Sequence, residues 1–386
     1  MSERKWRVVN ERGSRRVVVT KELPGERWLQ ILTAADCRVE IAQGDDILQA
    51  VELHAAFGNH VDAAIGQLTE AWSASLLESL KAAGAATYSQ FAVGYDNVDV
   101  AAATRLGLPV GNTPGVLTET TAELAVALTF AAARRIVEGD QIMRAGEYHG
   151  WLPRMLLGSL LYGGTLGVVG AGRIGEAYAR MMVEGHKMDV VYYDVRANEH
   201  LERYVTDYGT FLAAHGERPV ACRRAESLEE LLGAADVVSV HAALTGSTRH
   251  LIGAPELAAM KETAVLVNAS RGPLVDEAAL VAHCRAHPSF RAGLDVYEHE
   301  PAIAPGLVDL GNVVIVPHLG SATTWTREGM ATLAAANAAA IVQGLPVWPA
   351  VAGRDDVAPF LCDAEPPAAA PSIVNADELG LARWRA

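Results

Sequence analysis

The sequence predicts an α/β fold in two parts, each a parallel sheet covered by helices. Three observations lead there. Apolar runs of four or five residues recur along the chain with helical or loop stretches between them, the pattern of strands buried on both faces. One such run leads straight into Gly170-Ala171-Gly172-Arg173-Ile174-Gly175. The 386 residues are also enough for two domains, each with its own core.

Taken in order, residues 17–20, 38–41 and 62–65 read as strands, and 76–83 as a short helix between strands. Residues 118–146 read as one long helix: Thr118 or Thr120 caps it, apolar side chains recur through Leu124, Leu128, Ala131 and Ala132 to Ile136, and Gly146 ends it. A helix of that length can cross from one domain to another. Runs at 166–169, 190–193, 237–240, 265–267 and 313–316 give a second set of parallel strands. The long connection 197–227 has a charged, helical pattern (Leu201, Tyr204, Val205, Tyr208, Phe211, Leu212) and predicts an added surface helix. Residues 327–342 read as a second long helix, rich in Ala, and 366–371 as an extended, proline-bearing stretch over the surface.

Composition narrows the function. The net charge of −14 argues against nucleic acid, which needs a basic face, and against an anionic membrane surface. The apolar stretch 122–136 is too short to span a bilayer and contains Glu123, Arg134 and Arg135. The basic N-terminus, beginning at Arg4, lacks the apolar segment of a secretory signal. Cys37, Cys222, Cys284 and Cys362 are scattered, which fits neither a metal site nor a disulfide framework and suggests a reducing compartment. Asn268-Ala269-Ser270 matches a glycosylation acceptor, but its place at a strand end reads as a buried loop.

Residues 165–179 have the strand-turn-helix pattern of a dinucleotide site. Gly170 permits the tight turn, Gly172 clears the approach of a pyrophosphate, and Gly175 lets the helix pack on the sheet. Asp194 lies 19 residues after Gly175, where a carboxylate accepts from ribose hydroxyls and repels a 2′-phosphate. That favours NAD(H) over NADP(H), with Arg196 acting against the preference.

Three later segments end apolar strands with polar side chains, at the edge where open α/β sheets bind ligands. They supply Arg271, Glu300 and His318. An Arg can hold a carboxylate through two parallel hydrogen bonds, a His can donate a proton near neutral pH, and a Glu beside it stabilises the imidazolium. The set fits reduction of a 2-keto acid.

Segments 170–175, 268–272, 295–301 and 317–323 together resemble the D-isomer-specific 2-hydroxyacid dehydrogenase family, and the likeness spans most of the chain. Within that family, Gly66-Gln67-Leu68-Thr69-Glu70, the runs 92–100, 111–124, 178–185 and 325–333, the connection 197–227 and the tail Pro371-Ser372-Ile373-Val374-Asn375 resemble the plant-type hydroxypyruvate reductase (glycerate dehydrogenase) subgroup. The resemblance implies two Rossmann-like domains joined by two long helices: a doubly wound NAD-binding domain over 117–330, and a flavodoxin-like substrate domain made of 1–116 and 331–386. It implies Arg271 as carboxylate binder, His318 as acid/base and Glu300 as its partner. Asp295 matches the position that holds the nicotinamide carboxamide, and Val93 and Gly94 match the loop whose amides meet the substrate carboxylate. Thr121, Arg173, Ile174, Ala269, Ser270 and Gly320 match cofactor contacts. It further implies a homodimer formed through the nucleotide domain.

The expected reaction is NADH-dependent reduction of hydroxypyruvate to D-glycerate, of the photorespiratory type, with glyoxylate a weaker substrate. Other D-2-hydroxyacid dehydrogenases, such as a glyoxylate reductase, and a dinucleotide-sensing corepressor are the alternatives. Formate oxidation is disfavoured, since that branch carries Gln where Glu300 stands. The sequence ends Arg383-Trp384-Arg385-Ala386 rather than in a peroxisomal Ser-Lys-Leu-type tripeptide. The expected compartment is therefore the cytosol, or the mitochondrion with a transit peptide preceding these residues.

Overall fold

Runs of β-branched and small residues become the central strands of two sheets in the computed structural model, which describes residues 5–351, 353–362 and 365–385. Arg4 and Ala386, on which readings of the two termini touch, lie outside the described residues. The chain divides into two units, Met1–Leu117 with Ala322–Ala386, and Thr118–Ser321.

The first unit holds strands β1 (Trp6–Val9), β2 (Arg15–Val19), β3 (Cys37–Ala42), β4 (Ala63–Gly66), β5 (Thr87–Gln90) and β6 (Val110–Gly111). Their order is β1-β3-β2-β4-β5-β6, all pairs parallel except β1 with β3. Alternate residues face opposite layers. Val18, Ala64 and Tyr88 pack with Leu76, Leu77 and Leu80 of helix Ala74–Ala82, while Val17, Val19 and Ile65 pack with Ala331, Ala334 and Ala335 of helix Thr324–Val342. Coverage on both faces is why these strands read as continuous apolar runs. The stretch 366–371 contains no helix, as expected, but Ala369 and Ala370 are buried, and the Ala370 amide donates to Pro346 O at 2.8 Å. It is therefore packed into the unit rather than laid over its surface.

The second unit holds β7 (Thr165–Val169), β8 (Asp189–Tyr193), β9 (Cys222–Arg224), β10 (Val237–Val240), β11 (Val265–Asn268), β12 (Arg291–Leu294) and β13 (Val313–Ile315). All pair in parallel, in the order β13-β12-β11-β10-β7-β8-β9. The order reverses between β7 and β10, so the turn after β7 sits at the switch point where such sheets bind ligands. The connection 197–227 supplies the expected helix, Glu199–Ala214, and also edge strand β9.

Three expectations change. The helix read over 118–146 is two helices, Thr118–Ala133 and Ile136–Ala145. Arg135 between them is left-handed (φ 55°), and its guanidinium turns to Glu138 with Nη2 2.5 Å from Oε2. Glu138 in turn accepts from the buried Arg291 at 3.2 Å, so an ion cluster holds the break. Both helices belong to the second unit, and helix Thr324–Val342 to the first, so neither long helix spans the two. The second boundary lies at 321/322, not 330/331, because that helix already starts at Thr324, with Thr323 Oγ1 accepting from the Thr326 amide at 3.2 Å. Among the described residues no helix is long and apolar enough to cross a membrane.

Candidate active site

The turn after β7 is built by its glycines. Gly170 has φ +92°, and a Cβ there would lie 2.6 Å from the Ala242 amide nitrogen. A Cβ on Gly175 would lie 2.1 Å from Gly170 O, so the helix could not approach the turn. A Cβ on Gly172 would meet nothing within 4 Å, so its bareness serves no packing inside the chain. Gly172 is the N-cap of helix Arg173–His186 and makes no side-chain cap, leaving first-turn amides, including those of Arg173 and Ile174, suited to an anion. An open glycine at a helix N-terminus, on the switch point of the sheet, fits a dinucleotide pyrophosphate.

Asp194 follows β8. Its Oδ2 accepts from the Ala171 amide at 2.9 Å and its Oδ1 from the Arg196 amide at 3.1 Å, which brings it against the glycine turn. Each oxygen keeps a second acceptor position for a ribose hydroxyl. Arg224, on β9, donates to Asp194 O through Nη2 at 2.7 Å. This second arginine does not stand out in the sequence, because the three-residue strand that carries it has too short a pattern.

Beyond β11, Asn268 ties the loop down: its Oδ1 accepts from the Ser270 amide at 3.1 Å and its Nδ2 donates to Arg271 O at 2.9 Å. Asn268 is 1 % exposed, which rules out the glycosylation reading for this fold. Ser270 Oγ donates to Ala242 O at 2.7 Å, and Ala269 is buried. Arg271 Nη1 donates to Ser270 O at 2.8 Å. Gly272 lets this loop pass the next one, since a Cβ there would sit 1.9 Å from the Tyr297 carbonyl.

The remaining groups converge after β12 and β13. His318 Nδ1 lies 2.9 Å from Glu300 Oε2, and Glu300 Oε1 accepts from the Tyr297 amide at 3.0 Å. Both side chains are about one-third exposed, at 33 % and 31 %. Burial pushes the Glu300 carboxyl up, but the His318 hydrogen bond and charge, the Tyr297 amide and the Arg271 charge outweigh it, and the net shift is down. His318 is left-handed (φ 53°), and its amide donates to Asp295 O at 2.9 Å. The fully buried Asp295 accepts from the Leu319 amide at 2.5 Å and the Gly320 amide at 2.8 Å. Its carboxyl is raised, burial outweighing the two amides and the His318 charge. Thr121 Oγ1 donates to Gly320 O at 3.2 Å, joining helix Thr118–Ala133 to the same loop. Arg271, Asp295, Glu300, His318 and Gly320 thus all stand at the carboxyl edge of one sheet.

Val93 and Gly94 lie in the first unit, just past β5, in a loop whose Val93 carbonyl accepts from Asn112 Nδ2 at 2.9 Å. A further group missed in the sequence is His241, directly after β10. Burial drives its pKa down to about 3, and Ser239 Oγ lies 2.8 Å from its Nε2. The apolar run 237–240 ending in His241 and Ala242 was the available signal. Among the described residues no group of His, Cys, Asp or Glu is arranged to hold a metal ion.

Residues 126–320 match the family model described as D-isomer specific 2-hydroxyacid dehydrogenase, NAD binding domain. The chain is 56 % identical over 375 residues to a glycerate dehydrogenase of Cucumis sativus, covering 97 % of each chain. It is 44 % identical over 289 residues to a glyoxylate reductase of Thermococcus litoralis, covering 74 % of this chain and 81 % of that one. Among solved structures, the TT0316 protein of Thermus thermophilus aligns with a TM-score of 0.74 and 40 % identity, covering 85 % of this chain and 97 % of that one.

Proposed function

The chain belongs to the D-isomer specific 2-hydroxyacid dehydrogenase family, and from that premise we propose that it reduces hydroxypyruvate to D-glycerate with NADH. The observation that carries the chemistry is the hydrogen-bonded Glu300–His318 pair, within the field of Arg271, on a unit with a dinucleotide turn. The choice of hydroxypyruvate is supported by identity to the cucumber glycerate dehydrogenase over nearly the full chain, well above that to the glyoxylate reductase.

When bound, a nicotinamide dinucleotide would supply the hydride for the carbonyl carbon. Arg271 holds the substrate carboxylate and fixes its orientation. Val93 and Gly94, in the first unit, are assigned to substrate carboxylate binding through their amides. His318, paired with Glu300 through Nδ1, is assigned to protonate the carbonyl oxygen through Nε2. Glu300 stays ionised and stabilises the imidazolium until the proton leaves. Asp295 anchors the loop that carries His318, and its assignment to the nicotinamide carboxamide rests on the family resemblance. Arg173, Ile174 and the open Gly172 would hold the pyrophosphate, and Asp194 the ribose. Thr121, Ala269, Ser270 and Gly320 would line the rest of the cofactor site.

Preference for NADH is part of the proposal and is supported by Asp194. Arg196 and Arg224 stand on the same edge and act against it. The enzyme is also proposed to act as a homodimer. Steady-state kinetics with hydroxypyruvate, glyoxylate and pyruvate, each against NADH and NADPH, test the reading. The expected result is the highest kcat/KM for hydroxypyruvate with NADH. A higher value for glyoxylate would reassign the substrate, and a higher value with NADPH the coenzyme.

A further inference from the structure

The carboxyl edge of the first unit's sheet holds an arrangement that the mechanism above leaves unexplained. Three consecutive carbonyls are tied down: Ala92 O accepts from the Thr113 amide at 2.9 Å, Val93 O from Asn112 Nδ2 at 2.9 Å, and Gly94 O from Gln90 Nε2 at 3.4 Å. The amides of Val93 and Gly94 donate to no group among the described residues. Because a peptide unit is planar and trans, fixing a carbonyl fixes the N–H that follows it. Holding Ala92 O aims the Val93 N–H, and holding Val93 O aims the Gly94 N–H.

The donor on Val93 O is itself oriented by the C-terminal tail. Asn112 is 7 % exposed, and its Oδ1 accepts from Ser372 Oγ at 2.7 Å. The Val93 carbonyl only accepts, so it takes the Nδ2 end of Asn112, and the Ser372 hydroxyl then donates to the Oδ1 end and holds the side chain in that position. Asn337, fully buried, closes the cluster: its Nδ2 donates to Asn112 O at 2.9 Å and its Oδ1 accepts from the Ser372 amide at 2.8 Å. The tail is docked on edge strand β6 by the Val374 amide donating to Val110 O at 2.8 Å, and by Asn375 Oδ1 accepting from the Val110 amide at 2.9 Å. This is the segment Pro371–Asn375 that the sequence singled out without giving it a role.

We propose that Asn112, oriented by Ser372 of the tail, is a positioning residue for substrate binding: it holds the Val93–Gly94 peptide so that the Gly94 N–H meets the substrate carboxylate. The inference rests on the reading that the Val93 and Gly94 amides bind that carboxylate.

Kinetics of the full chain test it. Asn112→Asp keeps the size and removes the donor; it raises KM for hydroxypyruvate about tenfold while kcat and KM for NADH stay within about twofold. Ser372→Ala raises the same KM roughly threefold, and Ser372→Thr, which keeps the hydroxyl, restores it. Gly94→Pro deletes the N–H itself and probes the underlying reading. If Gly94→Pro raises KM for hydroxypyruvate but neither Asn112→Asp nor Ser372→Ala does, the positioning role alone is overturned. If Gly94→Pro leaves it unchanged, the carboxylate reading falls and this inference with it. An equal rise in both KM values for Asn112→Asp marks a general structural role and also overturns the inference. Should Asn112→Asp not fold, the Ser372 pair decides: equal KM values for Ala, Thr and the parent refute the proposal.

Discussion

His318 occupies a left-handed conformation, which costs a non-glycine residue roughly 1–3 kcal/mol. Asp295 offsets that strain, since its backbone and both carboxylate oxygens take the three successive amides of His318, Leu319 and Gly320. Asp295→Asn keeps the shape but turns one acceptor into a donor facing an N–H. We expect kcat to fall about a hundredfold with the fold intact by circular dichroism, and a parental kcat would show that the clamp does not set the His318 position. Glu300 gives a pH test. Its folded pKa lies below the unfolded value of about 4.3, so its stabilisation is complete above that value and is lost as pH falls through the lowered pKa. Glu300→Gln should therefore lower Tm at neutral pH and converge with the parent as pH falls through the lowered carboxyl pKa; a gap that does not narrow with acid would contradict the assignment. Arg271, Glu300 and His318 were legible because their residue types at strand ends suffice to suggest keto-acid chemistry. The Asp295 clamp and the sign of φ at His318 were not, since both depend on hydrogen bonds between segments more than 20 residues apart.

The glycine turn separates what a segment needs to fold from what it needs to bind. Gly175 and Gly172 look equivalent in the sequence, yet a Cβ on the first collides with Gly170 O at 2.1 Å and a Cβ on the second meets nothing. Gly172→Ala should leave Tm within about 1 °C of the parent and raise KM for NADH at least tenfold, about 1.4 kcal/mol of lost binding. Gly175→Ala should lower both Tm and NADH affinity. Isothermal titration with NADH beside thermal melts checks this, and unchanged NADH affinity in Gly172→Ala would remove the pyrophosphate from that spot. The strand-turn-helix pattern was readable because local sequence alone dictates it. The break at Arg135 was not: no Gly or Pro marks it, apolar spacing runs through to Ile136, and the cause is an ion cluster completed by Arg291, more than 150 residues away. Strand β9 escaped for a related reason, since three residues, Cys222–Arg224, carry too short a pattern to stand out from the helix before them.

The second unit leaves a large apolar surface open. Ten of the seventeen exposed large apolar side chains among the described residues lie between Ile136 and Tyr162, including Trp151 at 77 % and Leu160 at 82 %. Helix Ile136–Ala145 has no buried residue at all. Clustered exposure of this kind marks an interface rather than ordinary surface scatter. A second copy of the chain is the proposed partner, consistent with the dimers the family resemblance implies. The net charge of −14 sharpens the expectation, because two such chains repel and association must be driven by apolar burial. Salt should then tighten the dimer by screening that repulsion, opposite to its effect on an interface held by ion pairs. Sedimentation equilibrium should give twice the chain mass, with a dissociation constant that falls from about 0.05 M to about 0.5 M salt. Trp151→Glu with Leu160→Glu should shift the species to monomer, since two carboxylates would have to be buried without partners. A parent that sediments as a monomer, or a double variant that remains a dimer with the parental constant, would take the interface away from this segment.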